Sequence, residues 1–280
     1  MKHKITPAVA IPALLIAAGL LLLIYPTLRD AITRFSMSRR IAEYNTVVAA
    51  DKPDFSAQWA EADEYNAFLR DKKDQFIFEE GEIERLSALL DPLGVGIMGV
   101  VEIPKLSLNI PVYQGFDEAY LQSGAGFWQG TSLPTGESGT HCVISAHSGL
   151  VKARLFSDLD RLELGDRFTL TVLDRTLTYE VDKITVAEPE DGSELRVIKD
   201  EALATLYTCT PCGINTHRLL VRGRRVTDMS VGELDFRTGT RKTSPFDCSL
   251  YALFIVCGIA LFTSAALCAV QLRREKKRRA

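Results

Sequence analysis

Cysteine is scarce in this chain, with 6 among 280 residues. Half of the cysteines fall in one long apolar run, so the polar part of the chain keeps only Cys142, Cys209 and Cys212. So few cysteines, odd in number, exclude a small secreted domain that is held together by disulfides. At least one of the three thiols is therefore expected to be free.

Several familiar site patterns are also missing. The 4 histidines and the cysteines show no zinc-finger spacing. The glycines form neither a phosphate-binding loop nor a dinucleotide-binding turn. We therefore expect no metal and no cofactor.

Two long uncharged runs stand near the ends of the chain. Residues 5–27 begin ITPAVAIPALLIAAGLLLLIY, and residues 248–270 read CSLYALFIVCGIALFTSAALCAV. About 20 apolar residues are enough to cross the hydrocarbon core of a bilayer. We predict a transmembrane helix in each run. The first is interpreted as a retained signal anchor, because no small-x-small cleavage site follows Tyr25.

The charges around these runs predict the topology. Lys2 and Lys4 lie in residues 1–4, and six basic residues lie in the tail 271–280. Positive flanks stay in the cytoplasm, so both termini are expected there and the intervening segment outside the cell membrane. The two ends hold eight basic residues and one acid, a net +7, within a chain of net charge −3. The rest therefore carries −10, which argues against a nucleic-acid partner.

The outer segment changes character at Asp91-Pro92-Leu93-Gly94. Residues 28–94 are rich in Ala, Glu, Lys and Leu and predict two or three helices. Residues 95–228 break into short β runs between Gly, Pro and Asp, which predicts a mainly β fold and a closed barrel. Residues 229–247 are a polar linker. The predicted strands are 98–103, 110–113, 141–146, 167–173, 177–186, 203–209 and 218–226, with short helices at 118–122 and 155–159.

Three residues at the margins of β runs carry the chemistry. Cys209 ends the run LATLYT and is followed by Thr210-Pro211, and a proline cannot continue a central strand. A strand end suits a nucleophile, although composition alone allows a buried core cysteine equally well. His147 closes the run HCVISA, and Arg218 opens the run RLLVRGRR.

Cysteine acyl transfer needs these three residue types. The attacking species is the thiolate, which forms beside a base or a cation. The leaving amine needs a proton, which an imidazolium gives. The tetrahedral oxyanion needs a fixed donor, which a guanidinium supplies. The sequence alone does not place the three side chains together.

Two histidines, His141 and His217, compete with His147 for the acid/base role. His141 starts a predicted strand, and His217 directly precedes Arg218. Successive residues of a strand point to opposite faces, so His217 and Arg218 are expected to diverge. The residues by themselves therefore rank His147 first only by its place at the end of a β run.

Around these residues the sequence resembles the sortase family. TLYTC matches the family's TLxTC signature, and TLYTCTPCGINTHRLLVRGRRV is similar to the pilus-assembling class C branch. Upstream, GIMGVVEIPKLSLNIPVYQG, GAGFWQGTSLPTG and THCVISAHSGLVKARLFSDLDRLELGD follow in that branch's order. The resemblance covers residues 96–226 without a break.

The resemblance implies a sortase β-barrel and a reaction. Cys209 would attack the Thr–Gly bond of an LPxTG-like sorting signal on a secreted pilin or surface protein and form a thioester. An amine would then resolve the thioester, either a pilin lysine or a peptidoglycan precursor of a Gram-positive cell wall. By position, His147 would be the general acid/base and Arg218 the oxyanion-stabilising donor. Pilin polymerisation is favoured over housekeeping wall anchoring.

Class C sortases carry a lid with an Asp-Pro-aromatic motif, and this chain departs from it. Asp91-Pro92-Leu93 lacks the aromatic residue, whereas Asp74-Gln75-Phe76 keeps the acid and the aromatic but lacks the proline. The lid hypothesis is that Asp74 pairs with Arg218 and that Phe76 shields Cys209. A solvated helix end is the competing interpretation.

Cys212 is a second departure, because the family usually has tyrosine there. It creates a C-x-x-C with Cys209, the spacing of a thiol–disulfide oxidoreductase. In the thioredoxin type that motif opens a helix, whereas here a loop and a strand are predicted. Cys212 either fills a loop position or is a redox partner that silences Cys209 reversibly.

The chain also carries a near match to a sorting signal. Residues 133–136 read LPTG, which lacks one residue of such a signal and lies mid-domain, so we interpret them as a turn. The chain is therefore interpreted as the enzyme and not as its substrate. A non-catalytic wall-binding domain with a sortase shape is a further hypothesis, against which the intact cysteine, histidine and arginine set speaks.

Overall fold

The computed structural model describes residues 7–49, 53–92, 94–115, 117–150 and 153–226. The described residues belong to two compact units, one up to residue 29 and the other from residue 30 onward. In the described part of the chain, one helical stretch, Ile16–Ala49, is long and apolar enough to cross a membrane. The predicted second span, the linker 229–247 and the tail 271–280 lie outside the described residues.

Three helices precede the barrel, as the sequence predicts. They are α1 (Pro7–Ala49), α2 (Ser56–Asp71) and α3 (Glu82–Ser87). Helix α1 continues past the predicted end of the apolar run because no glycine or proline interrupts residues 27–49. Helix α2 buries one face at helical spacing, formed by Trp59, Ala62, Tyr65, Asn66 and Leu69.

The predicted closed barrel is confirmed, and the described residues build it from eight strands. Its hydrogen-bonded order is β1-β2-β3-β4-β7-β8-β6-β5, with parallel pairing only between β2 and β3 and between β4 and β7. The strands are β1 (Ile97–Ile103), β2 (Leu108–Tyr113), β3 (Ala125–Phe127), β4 (Thr140–Ser145), β5 (Arg167–Val172), β6 (Arg175–Ala187), β7 (Ala202–Thr210) and β8 (His217–Arg225).

Two sequence predictions about local elements need correction. Strand β3 was not predicted, because three residues are too short to show an alternating pattern. The predicted helix at 155–159 is wrong, since residues 155–158 form turns and a 3-10 helix follows at Leu159–Arg161. The predicted helix at 118–122 is confirmed as α4 (Glu118–Leu121).

The C-terminal part of α1 packs against the barrel wall. Tyr44 is fully buried there, in a cluster with Ile41, Ile97, Val100 and Tyr113. Its hydroxyl donates to the Met98 carbonyl at 3.0 Å and accepts from the Leu173 amide at 2.7 Å. Because both partners are backbone groups of the barrel, this contact fixes the helix to one place on the wall.

Candidate active site

Cys209 and Arg218 meet because β7 and β8 form an antiparallel pair. Cys209 lies directly opposite Arg218 in the register, one position from the end of β7. Directly opposed residues of an antiparallel pair project to the same face, so the thiol and the guanidinium are neighbours. Cys209 is half-buried and carries a free thiol.

The loop after β4 brings His147 to the same place. Strand β4 runs parallel to β7, and the alignment continues beyond it, since Thr208 Oγ1 donates to the Ala146 carbonyl at 2.7 Å. One residue after His147, Ser148 Oγ donates to the Cys209 carbonyl at 2.6 Å. His147 is therefore held between two hydrogen bonds to β7, level with Cys209.

Arg218 is held in place by backbone and side-chain acceptors. Its Nη1 donates to the carbonyls of Asn215 and His217, at 3.0 Å each. Burial raises the pKa of the Tyr207 hydroxyl, and a hydrogen bond with Arg218 together with its positive charge opposes that rise. Hydrogen bonds from Nη1 therefore fix the guanidinium beside the thiol, as a preorganised donor requires.

The remaining two cysteines of the outer segment have different environments. Cys142 lies in the barrel core, and burial strongly raises the pKa of its thiol, which makes it inert. Cys212 is exposed in the turn between β7 and β8. Partial burial raises the pKa of the Cys212 thiol, and the negative charges of Asp160 and Asp158 add to the rise.

The two competing histidines make contacts of their own. His141 is buried, with Nδ1 2.9 Å from the Arg196 carbonyl and Nε2 2.7 Å from Thr205 Oγ1. Burial lowers the pKa of His141 to about 4, so it is a neutral core residue at physiological pH. His217 Nε2 lies 3.4 Å from Glu188, beside the end of β8.

A cavity of about 620 Å³ lies beside Tyr207, two residues before Cys209 on β7. Cys209 does not line it, but Tyr207 does, and residues two apart on a strand project to the same face. Tyr207 and Trp128 meet edge to face, with ring centroids 4.7 Å apart. The cavity is also lined by Phe76, Phe78, Pro189, Leu195 and Arg196. Its wall combines these aromatic and apolar side chains with polar ones, among them Gln129, Glu190, Asp191 and Ser193, a mixture found in sites that bind a peptide or small molecule.

Of the two lid candidates, Phe76 lines this cavity, and Asp74 pairs with a residue of the cavity wall rather than with Arg218. Asp74 Oδ1 is 3.4 Å from Arg196 Nη2, so its cationic neighbour is Arg196 and the hypothesised pair with Arg218 is not formed. Phe76 lines the cavity beneath the Arg196 guanidinium, 5.6 Å from the ring centroid. The reason is Gln75, which anchors the segment to the connection between β6 and β7.

Gln75 stands where the family's lid motif has proline, and the sequence analysis missed its role. The side chain is buried and donates to the carbonyls of Gly130 at 3.0 Å and Leu195 at 3.2 Å. Its Oε1 accepts from the Val197 amide at 3.1 Å. Three hydrogen bonds to backbone fix the segment without a proline.

Glu118 was also missed. Its Oε2 lies 3.6 Å from His147 Nε2. No local pattern could have indicated this pair, because the two residues lie on separate elements that only the barrel brings together.

A thiol, an imidazole and a guanidinium at one end of a closed barrel are the groups that cysteine acyl transfer requires. The thiol attacks a carbonyl, the imidazole moves a proton, and the guanidinium stabilises negative charge on oxygen. A C-x-x-C oxidoreductase of the thioredoxin type would need a helix after Cys209, whereas the described residues there form a turn and β8.

Comparison with known proteins agrees with this class. The Sortase domain family matches residues 101–226. Sortase D of Bacillus subtilis (strain 168) is 30% identical over 132 residues, which cover 46% of this chain and 64% of the relative. The chain thus spans less than two thirds of the length of that curated relative.

Solved structures extend the similarity. Sortase C1 from Streptococcus agalactiae is 40% identical with a TM-score of 0.65, over 68% of this chain and all of that one. Sortase C from Streptococcus pneumoniae is 42% identical with a TM-score of 0.59, over 69% of this chain and 98% of the other. The chain belongs to the sortase family and, among sortases, most resembles class C.

Proposed function

We propose that this chain is a membrane-anchored transpeptidase that cleaves an LPxTG-like sorting signal between Thr and Gly. The observation that carries the proposal is the strand register, which places Cys209 opposite Arg218, while the hydrogen bond from Ser148 to the Cys209 carbonyl holds the neighbouring His147 at the same level. The Cys209 thiolate attacks the threonine carbonyl, and Arg218 stabilises the oxyanion. The imidazolium of His147 protonates the departing glycine amine, which leaves a thioester on Cys209.

The second half of the reaction regenerates the enzyme. An acceptor amine gives a proton to His147 and attacks the thioester carbonyl. The new amide bond forms as the Cys209 thiolate leaves. The proton moves in the opposite direction to the first half, from the acceptor amine to His147, so the same three side chains serve both halves.

For the acceptor we propose a pilin lysine. The support is the similarity to class C, including the Streptococcus pneumoniae enzyme, whose structure is described in terms of pilin substrate specificity. Wall anchoring of surface proteins through a peptidoglycan precursor is the second candidate, since sortase A of Streptococcus agalactiae is also similar, at 27% identity. The higher identity to the class C structures favours pilin polymerisation.

For the membrane we propose two transmembrane helices, with both termini in the cytoplasm and the barrel outside. The apolar stretch Ile16–Ala49 and the basic ends of the chain support this topology. We also propose that Asp74 and Phe76 belong to a lid over the cavity, with Arg196 as the partner of Asp74.

The test is acylation of the full chain in detergent by LPxTG peptides, followed by intact mass. We expect an adduct that is lost in Cys209→Ala and kept in Cys212→Ala, its matched control. An adduct that survives Cys209→Ala would overturn the assignment of the nucleophile. Absence of an adduct in both the parent and Phe76→Ala, across signal variants, would leave the hypothesis of a non-catalytic wall-binding domain.

A further inference from the structure

His147 has a polar neighbour that the acyl-transfer scheme does not use. The Nε2 atom is shielded from solvent and has no hydrogen-bond partner among the described residues. The carboxylate of Glu118 lies 3.6 Å away, on α4. A shielded polar nitrogen without a partner is costly, so a carboxylate at that distance is a natural acceptor once the side chains close by a few tenths of an ångström.

The Glu118 carboxylate is itself oriented. Gln122 Nε2 donates to Glu118 Oε1 at 2.8 Å, and the other oxygen, Oε2, is the atom that lies near His147 Nε2. Helix α4 is fixed by Tyr120, which stacks on Tyr113 with ring centroids 4.7 Å apart and planes at 3°. Tyr113 is buried, and its hydroxyl accepts from Arg40 of α1 at 3.0 Å.

The charged groups around His147 lie on several elements. Arg218 on β8 brings a positive charge to the site. Cys209 on β7 offers a negative charge only while its thiol is ionised. Arg154 and Asp158 offset each other in the loop whose Phe156 amide donates to the His147 carbonyl. Glu118 is thus the carboxylate in direct contact with the imidazole.

We propose that Glu118 is a positioning residue that orients the His147 ring by accepting a hydrogen bond from Nε2. Its role in catalysis rests on the proposed function, because the imidazolium is the species that protonates the leaving amine. The contact itself exists whatever the substrate is. Glu118 contacts His147, and the proposed role acts through that residue.

The experiment follows the histidine rings directly. The chain has only 4 histidines, so ¹⁵N-histidine NMR of the full chain in detergent can identify which ring nitrogen of each histidine carries the proton at a fixed pH. In the parent we expect the His147 tautomer that is protonated at Nε2, the atom that faces Glu118, and in Glu118→Gln a roughly threefold smaller share of that tautomer. The matched control is Glu188→Gln, which removes the carboxylate beside His217 and should leave the His147 tautomers unchanged.

Peptide acylation gives the second readout. Glu118→Gln should lower kcat/KM about threefold with KM unchanged, since the variant alters the orientation of the imidazole and not peptide binding. A ratio of His147 tautomers that is unchanged in Glu118→Gln, or that changes equally in Glu188→Gln, overturns the inference. If LPxTG peptides do not acylate the parent, the proposed function fails, while the NMR spectrum still decides the role of Glu118.

Discussion

Cys209 and Arg218 face each other across two antiparallel strands, and their spacing is fixed by backbone hydrogen bonds rather than by side-chain contacts. The nucleophile and the donor for its oxyanion therefore move as one rigid unit. A change of side chain at either position leaves the strands in place, so it tests chemistry with little effect on the fold.

Arg218→Lys should slow acylation of Cys209 by roughly 100-fold. The guanidinium is a planar fork that can donate to two carbonyls and to a developing oxyanion at the same time. Lysine keeps the positive charge but loses that fork. Single-turnover acylation by an LPxTG peptide measures the effect, with a thermal melt to show that the variant is folded.

Arg224→Lys is the control for this substitution. Arg224 lies on the same strand but pairs with Glu201 at 3.1 Å, toward the other end of β8. It should acylate at the parent rate. Equal losses in the two variants would show that a general weakening of β8, and not oxyanion stabilisation, causes the defect.

Stability should fall on acidification because of His141. Burial lowers its pKa to about 4 from an ordinary 6.5, so between these pH values the unfolded chain binds a proton that the folded chain refuses. The free energy of unfolding therefore decreases as the pH falls through this window, by at most about 3 kcal/mol. Urea unfolding at several pH values between roughly 7 and 4.5 measures the slope.

The variant His141→Gln removes this titration. The slope of the free energy of unfolding against pH should then fall by an amount that corresponds to at most one bound proton. His217→Gln, at a half-exposed position, should keep the slope of the parent. Identical slopes in the parent and His141→Gln would mean that carboxylates alone set the acid sensitivity.

Gln75→Ala should raise the rate of acylation about tenfold. The substitution removes three hydrogen bonds that hold the segment with Asp74 and Phe76 at the cavity, so the open population grows. Phe76→Ala and Asp74→Ala should act in the same direction. Peptide acylation rates measured side by side provide the comparison.

A glutamine outside the cavity lining serves as the control. Gln58→Ala, on α2, should leave the rate unchanged. If Asp74→Ala, Gln75→Ala and Phe76→Ala all keep the parent rate, the lid proposal fails.

Much of the barrel and part of the site could be predicted from the sequence. Local patterns carry that information, because Pro211 ends a strand after Cys209 and the short apolar runs alternate with turns. Glu118 and Gln75 could not be found in this way. Their partners, His147 and the carbonyls of Gly130 and Leu195, are brought near only by the closed barrel.

The lid hypothesis shows the same limit. The sequence identified Asp74 and Phe76 by their residue types, and the structure places Phe76 in the cavity wall and Asp74 beside Arg196. The partner of Asp74 depends on where the hydrogen bonds of Gln75 hold the segment. Those bonds go to backbone carbonyls, and no sequence pattern reveals such partners. Arg196 therefore takes the place expected for Arg218.

Tyr44→Phe should destabilise the protein by about 1–3 kcal/mol. The hydroxyl accepts from the Leu173 amide and donates to the Met98 carbonyl in a fully buried site, and both groups would lose their partner. The urea midpoint of the full chain in detergent measures the change. A midpoint equal to that of the parent would show that α1 contributes nothing to barrel stability through this contact.

The parallel pairing of β4 with β7 has a consequence for the order in which the site assembles. Cys209 and Arg218 belong to one hairpin, which can form within microseconds. Ser148 and Cys209 are 61 residues apart, so His147 arrives only after a long-range pairing closes. During refolding the thiol and the guanidinium can therefore be paired before the imidazole arrives, and the full set of three side chains forms only when the barrel closes.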